Sequence, residues 1–538
     1  MTTPIPFSKI ALSLSGGGYR ATTFHLGAMS LLNSLKYEND TLLSRVSILS
    51  TISGGTLTGV MYAMKIAEGG TYYDCFTKLY QLLEEDKLVE RALHNLNTPD
   101  KWANKYKSRD VINAFAEVYN EHFYEGKTFE LLYEGETGHL NDIIFGASEF
   151  TTGVQFRFQR GHEDEKFGNG NLNLPKSAAR EIRLADAAAS SSCFPGGFEP
   201  MVMPKDYGNG PGSAVEEAWN EMEHEPVTAI MDGGVLDNQG IEGVKLAERR
   251  HLKDGLPLVG TYLISDVSGE TMAPLEVPEF RYSSLGNFFT FRSINLIALL
   301  LLAIGIGLLF VWDAPPWDIV LVSCLGTLIA GWFFMFFTVR KIVIREVSKT
   351  FAGGQLPEIL KDFGVLTSTP IYILYYLAKF RALSVLKMVM DIFLRRIRQL
   401  QISALFASPG WNGRIKNNNI YTLKGAHVDV VGFKMSKVIA AANSMPTTLW
   451  FSQEEKDEHM LDNLIAAGQC TLCFNLRKYI DELKTKEYEG KNIWAATPPA
   501  QQANIEQLRR VLEDYWKHFR EDPYWLLNED KAGGKVSA

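Results

Sequence analysis

The chain has 538 residues, 46% hydrophobic and 22% charged, with a formal net charge of −8. That length accommodates one large domain with an insertion, and the composition is that of a folded protein rather than a disordered one. Net acidity excludes a general nucleic-acid binder, but the charge is uneven: residues 340–414 hold 12 Lys and Arg against 4 Asp and Glu, a local +8 that leaves −16 for the remainder. One basic block in an acidic chain predicts an anionic surface as partner.

Five scattered cysteines, Cys75, Cys193, Cys324, Cys470 and Cys473, do not make a disulfide framework. Cys470 and Cys473 form a single C-x-x-C inside a helical pattern, without a second pair to complete a zinc site, and read as packing residues. The first apolar run, residues 10–14, is too short for a signal peptide, so the globular part is expected to face a reducing cytoplasm.

The N-terminus reads strand, glycine turn, helix. Ile10-Ala-Leu-Ser-Leu14 is followed by Ser15-Gly16-Gly17-Gly18-Tyr19-Arg20, then by helical apolar spacing through Leu26, Met29 and Leu32. Three glycines at a helix N-terminus offer a row of N–H groups as an anion cradle, for an oxyanion as readily as for a phosphate; no Lys-Ser/Thr follows, which excludes a nucleotide P-loop. His25, inside that helix, reads as a packed core residue. The next strand, from Val46, breaks at Thr51-Ile52-Ser53-Gly54-Gly55 and resumes as a helix. A Ser on a glycine-flanked strand-to-helix turn is either an exposed nucleophile at the edge of an α/β sheet or an ordinary helix N-cap.

Residues 78–137 are charged and helical with interleaved aromatics, which predicts a cap or lid layer. Strands follow at 142–145 and 154–158, then a small-residue helix from Leu184 ending at Pro195-Gly-Gly. A polar loop over 204–225 leads to an apolar strand that delivers Asp232 onto Gly233-Gly234, and another strand covers 258–265. Residues 294–312 carry no charge and residues 317–339 carry only Asp318; with Asp313-Ala-Pro-Pro316 between them they predict a transmembrane hairpin. Basic residues lie outside both spans, which orients both ends toward the cytoplasm. Residues 371–405 form a long basic helical pattern suited to an anionic leaflet or to packing on the globular domain. Strands are expected at 420–423 and 428–433, a helix after Leu449 through Leu461, Leu464, Ile465 and Ala467 with Gly468 inside it, a terminal helix from 505 to 520, and a loose tail from Asn528.

Ser15-Gly-Gly-Gly-Tyr-Arg20, Ser53-Gly-Gly and Asp232-Gly-Gly occur in that order, each at the end of a predicted strand. Together they resemble the patatin-like phospholipases, the family of patatin and the catalytic module of cytosolic phospholipase A. Gly146 to Gly153, Ala188-Ala-Ser190 through Pro195, and Pro446-Thr-Thr-Leu449 also look like that family. The resemblance covers roughly residues 6–282 and, more weakly, 404–476. It implies an α/β fold, three-layer α/β/α with a mainly parallel central sheet, and a Ser–Asp dyad without histidine. Ser53 would be the nucleophile and Asp232 the base and then the acid. The N–H groups around Gly16, Gly17 and Gly18 would form the oxyanion hole, with Arg20 supporting the loop. Thr51, Gly54 and Gly55 would shape the nucleophile elbow, and Gly233 and Gly234 the acid motif. Thr51 departs from the usual Gly of Gly-x-Ser-x-Gly, although family members with Ser there resemble this chain; the inserted hairpin is a second departure.

These expectations give a first catalytic part at 1–282, a membrane insertion at 283–403 (spans 294–312 and 317–339, basic segment 340–403), a second catalytic part at 404–482 and a C-terminal helix and tail at 483–538. The protein is expected to be a membrane-anchored acyl hydrolase acting on phospholipid or lysophospholipid, with no metal, cofactor or nucleic acid. It would lie against an anionic membrane through 340–414, its oligomeric state left open. The rivals are a lysophospholipase, thioesterase or acyltransferase with the same dyad, and a gated signalling effector or scaffold with a silent hydrolase domain.

Overall fold

The computed structural model describes residues 3–98, 102, 105–161, 166–222, 227–270, 272, 274–311, 316–350 and 367–533. Two compact units emerge, one from residues 1–272 and 393–538, the other from 273–392.

The first unit is built on a ten-stranded mixed sheet. Its strands are β1 (Ile10–Leu14), β2 (Val46–Ile52), β3 (Asp142–Glu149), β4 (Gln155–Arg160), β5 (Phe167–Gly168), β6 (Asn173–Leu174), β7 (Met201–Met203), β8 (Thr228–Asp232), β9 (Thr261–Asp266) and β10 (Ile415–Asn419). The order is β10-β9-β1-β2-β3-β4-β5-β6; β10 through β3 run parallel, and β4, β5 and β6 add antiparallel beyond them. β8 pairs antiparallel with β3, and β7 with β8.

Every residue of β1 and β2 is buried, as parallel strands covered on both faces must be. Their period of two splits the core in two. Ile10, Leu12 and Leu14 pack with the helices α1 (Gly18–Ser34) and α2 (Gly54–Ala67), while Ala11 and Ile48 pack with Val244 and Ala247 of another helix. Helices therefore cover both faces. Further helices named below are α3 (Leu184–Ser192), α4 (Ile241–Lys253), α5 (Phe291–Val311), α6 (Pro316–Thr350), α7 (Ile371–Lys387), α8 (Leu394–Ala407), α9 (Met460–Leu483), α10 (Pro499–Glu521) and α11 (Trp525–Gly533).

Several expectations change. Among the described residues no helix is long and apolar enough to cross a membrane. This overturns the reading of 294–312 and 317–339 as transmembrane spans, and with it the multi-pass location with a catalytic domain facing the cytoplasm. α5 opens on Arg292, Ser293 and Asn295, and Asn295 Oδ1 accepts the Trp332 Nε1 hydrogen bond at 2.9 Å. Residues 313–315 of the expected turn and 351–366 of the expected basic segment lie outside the described residues. The long basic pattern at 371–405 is two helices, α7 and α8, joined by a π-helical turn over Met388–Phe393.

The expected strands at 420–423 and 428–433 are a 3₁₀ turn, Ile420–Leu423, and a short helix, Val428–Val431. The strand in this region is β10, whose sequence Ile-Lys-Asn-Asn-Asn carries little strand signal. It occupies a sheet edge, and Asn418 there joins a buried polar network with Ser265 and Asn475. Residues 528–533 of the expected loose tail are helical, and 534–538 lie outside the described residues: α11 buries Leu526, Leu527 and Asp530. Cys470 and Cys473 are buried free thiols in α9.

Candidate active site

Two strands bring the candidate dyad together. β2 runs along one edge of β3 with Ile52 opposite Gly146, and β8 arrives antiparallel on that same edge with Asp232 opposite Ala147. The two strands thus end head to head at adjacent register positions, and Ser53 and Asp232 meet there.

Ser53 follows β2 at φ 52° and ψ −122°, a conformation a side chain seldom adopts and one that costs on the order of 1–3 kcal/mol. Its side chain lies beside the Asp232 carboxyl and favours its charged form, and its N–H donates to Ser191 Oγ at 2.9 Å. A Cβ on Gly54 would lie 2.1 Å from Gly18 O and one on Gly55 2.4 Å from Leu14 O, so only glycine lets the start of α2 close on the β1 loop. Ser53 is 8% exposed and Asp232 2%. Burial pushes the Asp232 carboxyl up to about 7, opposed by the Gly234 N–H, which donates to Oδ1 at 2.6 Å, and by the nearby Ser53 hydroxyl. The Asp232 backbone is held at both ends: its N–H donates to Cys193 O at 3.2 Å, and its carbonyl accepts from Ser148 Oγ at 2.8 Å.

The glycine loop sits opposite. The Gly16 N–H donates to Asn238 O at 3.0 Å and the Tyr19 N–H to Thr448 O at 2.7 Å, so neither is free for a ligand. No hydrogen bond among the described residues engages the Gly17 or Gly18 N–H, and both lie at the positive end of the 17-residue α1. Gly17 and Gly18 adopt φ of 147° and 57°. Arg20 reaches away from the dyad, donating to Met445 O at 2.7 Å and Thr447 Oγ1 at 3.2 Å. It thereby ties the loop to the Pro446-Thr-Thr-Leu449 segment. Beneath the loop, His25 is fully buried: its Nε2 contacts Ser15 O and its Nδ1 Ser265 Oγ, each at 3.0 Å. Burial lowers its pKa to about 4, so it supports the loop as a neutral ring.

Thr51 has room because its neighbour on α2 is Gly59, where a Cβ would come within 2.5 Å of the Thr51 methyl. Its hydroxyl bonds Thr56 Oγ1 at 3.0 Å. Two residues at the site stand out only in three dimensions. Ser191 lies within the family-like stretch from Ala188 to Pro195, but its contact with Ser53 has no sequence signature. The Asn238 carboxamide lies against the acid and glycine loops, its Oδ1 2.7 Å from where a Cβ on Gly16 or Gly234 would stand; its spacing from Asp232-Gly-Gly was the available signal. No group of three or more His, Cys, Asp or Glu among the described residues is arranged to hold a metal ion.

Residues 12–244 match the family model described as patatin-like phospholipase. This stretch contains the glycine loop, the Ser53 turn and the Asp232 strand, and it is a patatin-like phospholipase domain. The protein is accordingly an enzyme, a lipid acyl hydrolase. No curated protein matches the chain.

Proposed function

We propose that Ser53 and Asp232 are the catalytic dyad of an acyl hydrolase acting on phospholipids or lysophospholipids. The observation that carries this reading is the register that ends the strained Ser53 turn beside a buried Asp232 whose proton affinity is raised toward neutrality. A hydroxyl becomes a competent nucleophile when a positioned base takes its proton as it attacks, and a carboxylate near pKa 7 suits that task. Ser53 Oγ would attack the acyl carbonyl while Asp232 takes its proton. The Gly17 and Gly18 N–H groups would hold the carbonyl oxygen as it gains charge. Collapse would pass the Asp232 proton to the leaving alcohol, and water activated by Asp232 would then release the fatty acid. Gly16 is assigned to shaping the loop rather than donating, and Arg20 to anchoring it. The catalytic part is assigned to residues 1–282 with 404–482, and the basic stretch 340–414 supports an anionic phospholipid surface as the place where substrate is met.

A second reading, a gated enzyme, is favoured by one observation: a nucleophile only 8% exposed admits no acyl chain without movement around it. The test is fatty-acid release from vesicles of zwitterionic or anionic phospholipid, with a short p-nitrophenyl ester in parallel. Wild-type release, faster on anionic vesicles and lost in both Ser53→Ala and Asp232→Asn with folding retained, is the expected result. Turnover of the short ester without release from either vesicle favours the gated reading. Activity that survives Ser53→Ala overturns the dyad.

A further inference from the structure

The helix α3 ends beside the dyad, and its last residues touch both members. Ser191 Oγ accepts the Ser53 N–H at 2.9 Å, while Ser191 O accepts the Gly233 N–H at 3.4 Å, next to Asp232. The following carbonyl but one, Cys193 O, accepts the N–H of Asp232 itself. Carbonyls in the last turn of a helix have no partner within it, and here they engage the acid loop.

The neighbouring serines behave differently. Ser190 Oγ donates to Asp186 O and Ser192 Oγ to Ala188 O, each back into its own helix. Ser191 alone reaches across to the nucleophile. Its hydroxyl proton goes to Gly146 O at 2.7 Å. With that proton committed, Ser191 must accept at its remaining lone pairs, from the Ser53 N–H and from Thr56 Oγ1 at 2.8 Å. Thr56 has then donated, so Thr51 must donate to it. The result is a one-way chain, Thr51 to Thr56 to Ser191 to the Gly146 carbonyl, in which each hydroxyl proton has one destination. All three side chains are fully buried, so each unmade bond is costly. The base of α3 is fixed as well, with Asp186 buried between Lys107 at 2.6 Å and Arg183 at 2.7 Å.

We propose that Ser191 is a positioning residue that sets the separation of Ser53 and Asp232, and that Thr51 and Thr56 orient its hydroxyl for that task. Thr51 is then a working part of the elbow rather than a tolerated intrusion. The proposal rests on the Ser53–Asp232 reading above. It predicts a graded loss: misplacement of the nucleophile in Ser191→Ala lowers kcat about 100-fold with KM within twofold. Thr56→Val, which removes one link, lowers kcat about tenfold, and Thr56→Ser restores it.

The pH profile separates positioning from general destabilisation. When Ser53 moves away from Asp232 and no longer favours its charged form, the midpoint of the acidic limb of kcat/KM moves to higher pH; a purely structural loss leaves it in place. The measurement is kcat, KM and the pH midpoint on a short p-nitrophenyl ester for wild type, Ser53→Ala, Ser191→Ala, Thr56→Val and Thr56→Ser, with melting curves. Inactive Ser53→Ala beside a Ser191→Ala of wild-type kcat and midpoint overturns the proposal and leaves the dyad standing. Active Ser53→Ala overturns the dyad itself. Should Ser191→Ala not fold, the Thr56 pair decides, and unchanged kcat in Thr56→Val overturns the proposal.

Discussion

The chemistry of this site turns on one carboxyl. Asp232 is buried with no cation beside it among the described residues, and burial outweighs the Gly234 N–H and the Ser53 hydroxyl, which favour its charged form. In its proposed role as base it must be deprotonated to receive the Ser53 proton. Activity is therefore expected to rise with pH through about 7 as a single-proton limb and to level off above it. Asp232→Asn, which cannot take the proton, is expected to lower kcat/KM on a short ester by at least about 10³-fold and to erase that limb. A limb that persists in Asp232→Asn would assign the titration to another group. The residue types were readable in the chain: a glycine row, a Ser between strand and helix, an Asp before two glycines. Which N–H groups stay free was not, because Asn238 and Thr448, far along the chain, occupy those of Gly16 and Tyr19.

At the scale of elements, the site depends on strands and helices that approach closely enough to share an edge or a crossing. α1 and α9 cross backbone to backbone: a Cβ on Gly27 would lie 2.1 Å from Ile465 O, and one on Gly468 2.1 Å from Phe24 O. Neither obstacle is a flexible side chain. Gly468→Ala is expected to destabilise the protein by roughly 1–3 kcal/mol as the helices are forced apart, measured by urea unfolding; a change under ~0.5 kcal/mol would mean the crossing relaxes freely. The apolar strands β1, β2, β8 and β9 were legible because burial on both faces leaves a continuous hydrophobic run. β10 was not, since an edge strand that joins a polar network has no need of one, and Gly468 in a helical pattern hid a crossing rather than a flaw.

The whole molecule carries a pH dependence through its C-terminal helix. Asp530 of α11 is buried against α1 and α9, accepting hydrogen bonds from Ser30 and, at 3.0 Å, from Gln469 Nε2. Burial raises its carboxyl to about 7, above the roughly 4 of an unfolded chain. Below that unfolded value both states are protonated and the docking is fully present. Between the two values the folded state holds the extra proton, so stability falls as pH rises toward 7. Asp530→Asn, neutral at every pH, is expected to flatten this fall between pH 4 and about 7, as read from melting temperature against pH; an unchanged slope would place it on other groups. The tail thus belongs to the fold through a contact its polar, open-ended sequence did not advertise.

The sequence by itself determined the patatin-like domain over residues 12–244 and the order of its three motifs, because glycine turns after buried strands constrain backbone and side chain locally. It overstated the apolar hairpin, since run length was weighed without the polar side chains that open α5. The tertiary structure alone decided that β2 and β8 end at neighbouring positions on one edge of β3. It also decided which N–H groups remain free and that Ser191 touches both Ser53 and the glycine that follows Asp232. Each of these is a contact between distant parts of the chain, fixed by sheet register and helix crossing, and no local pattern of residues encodes it.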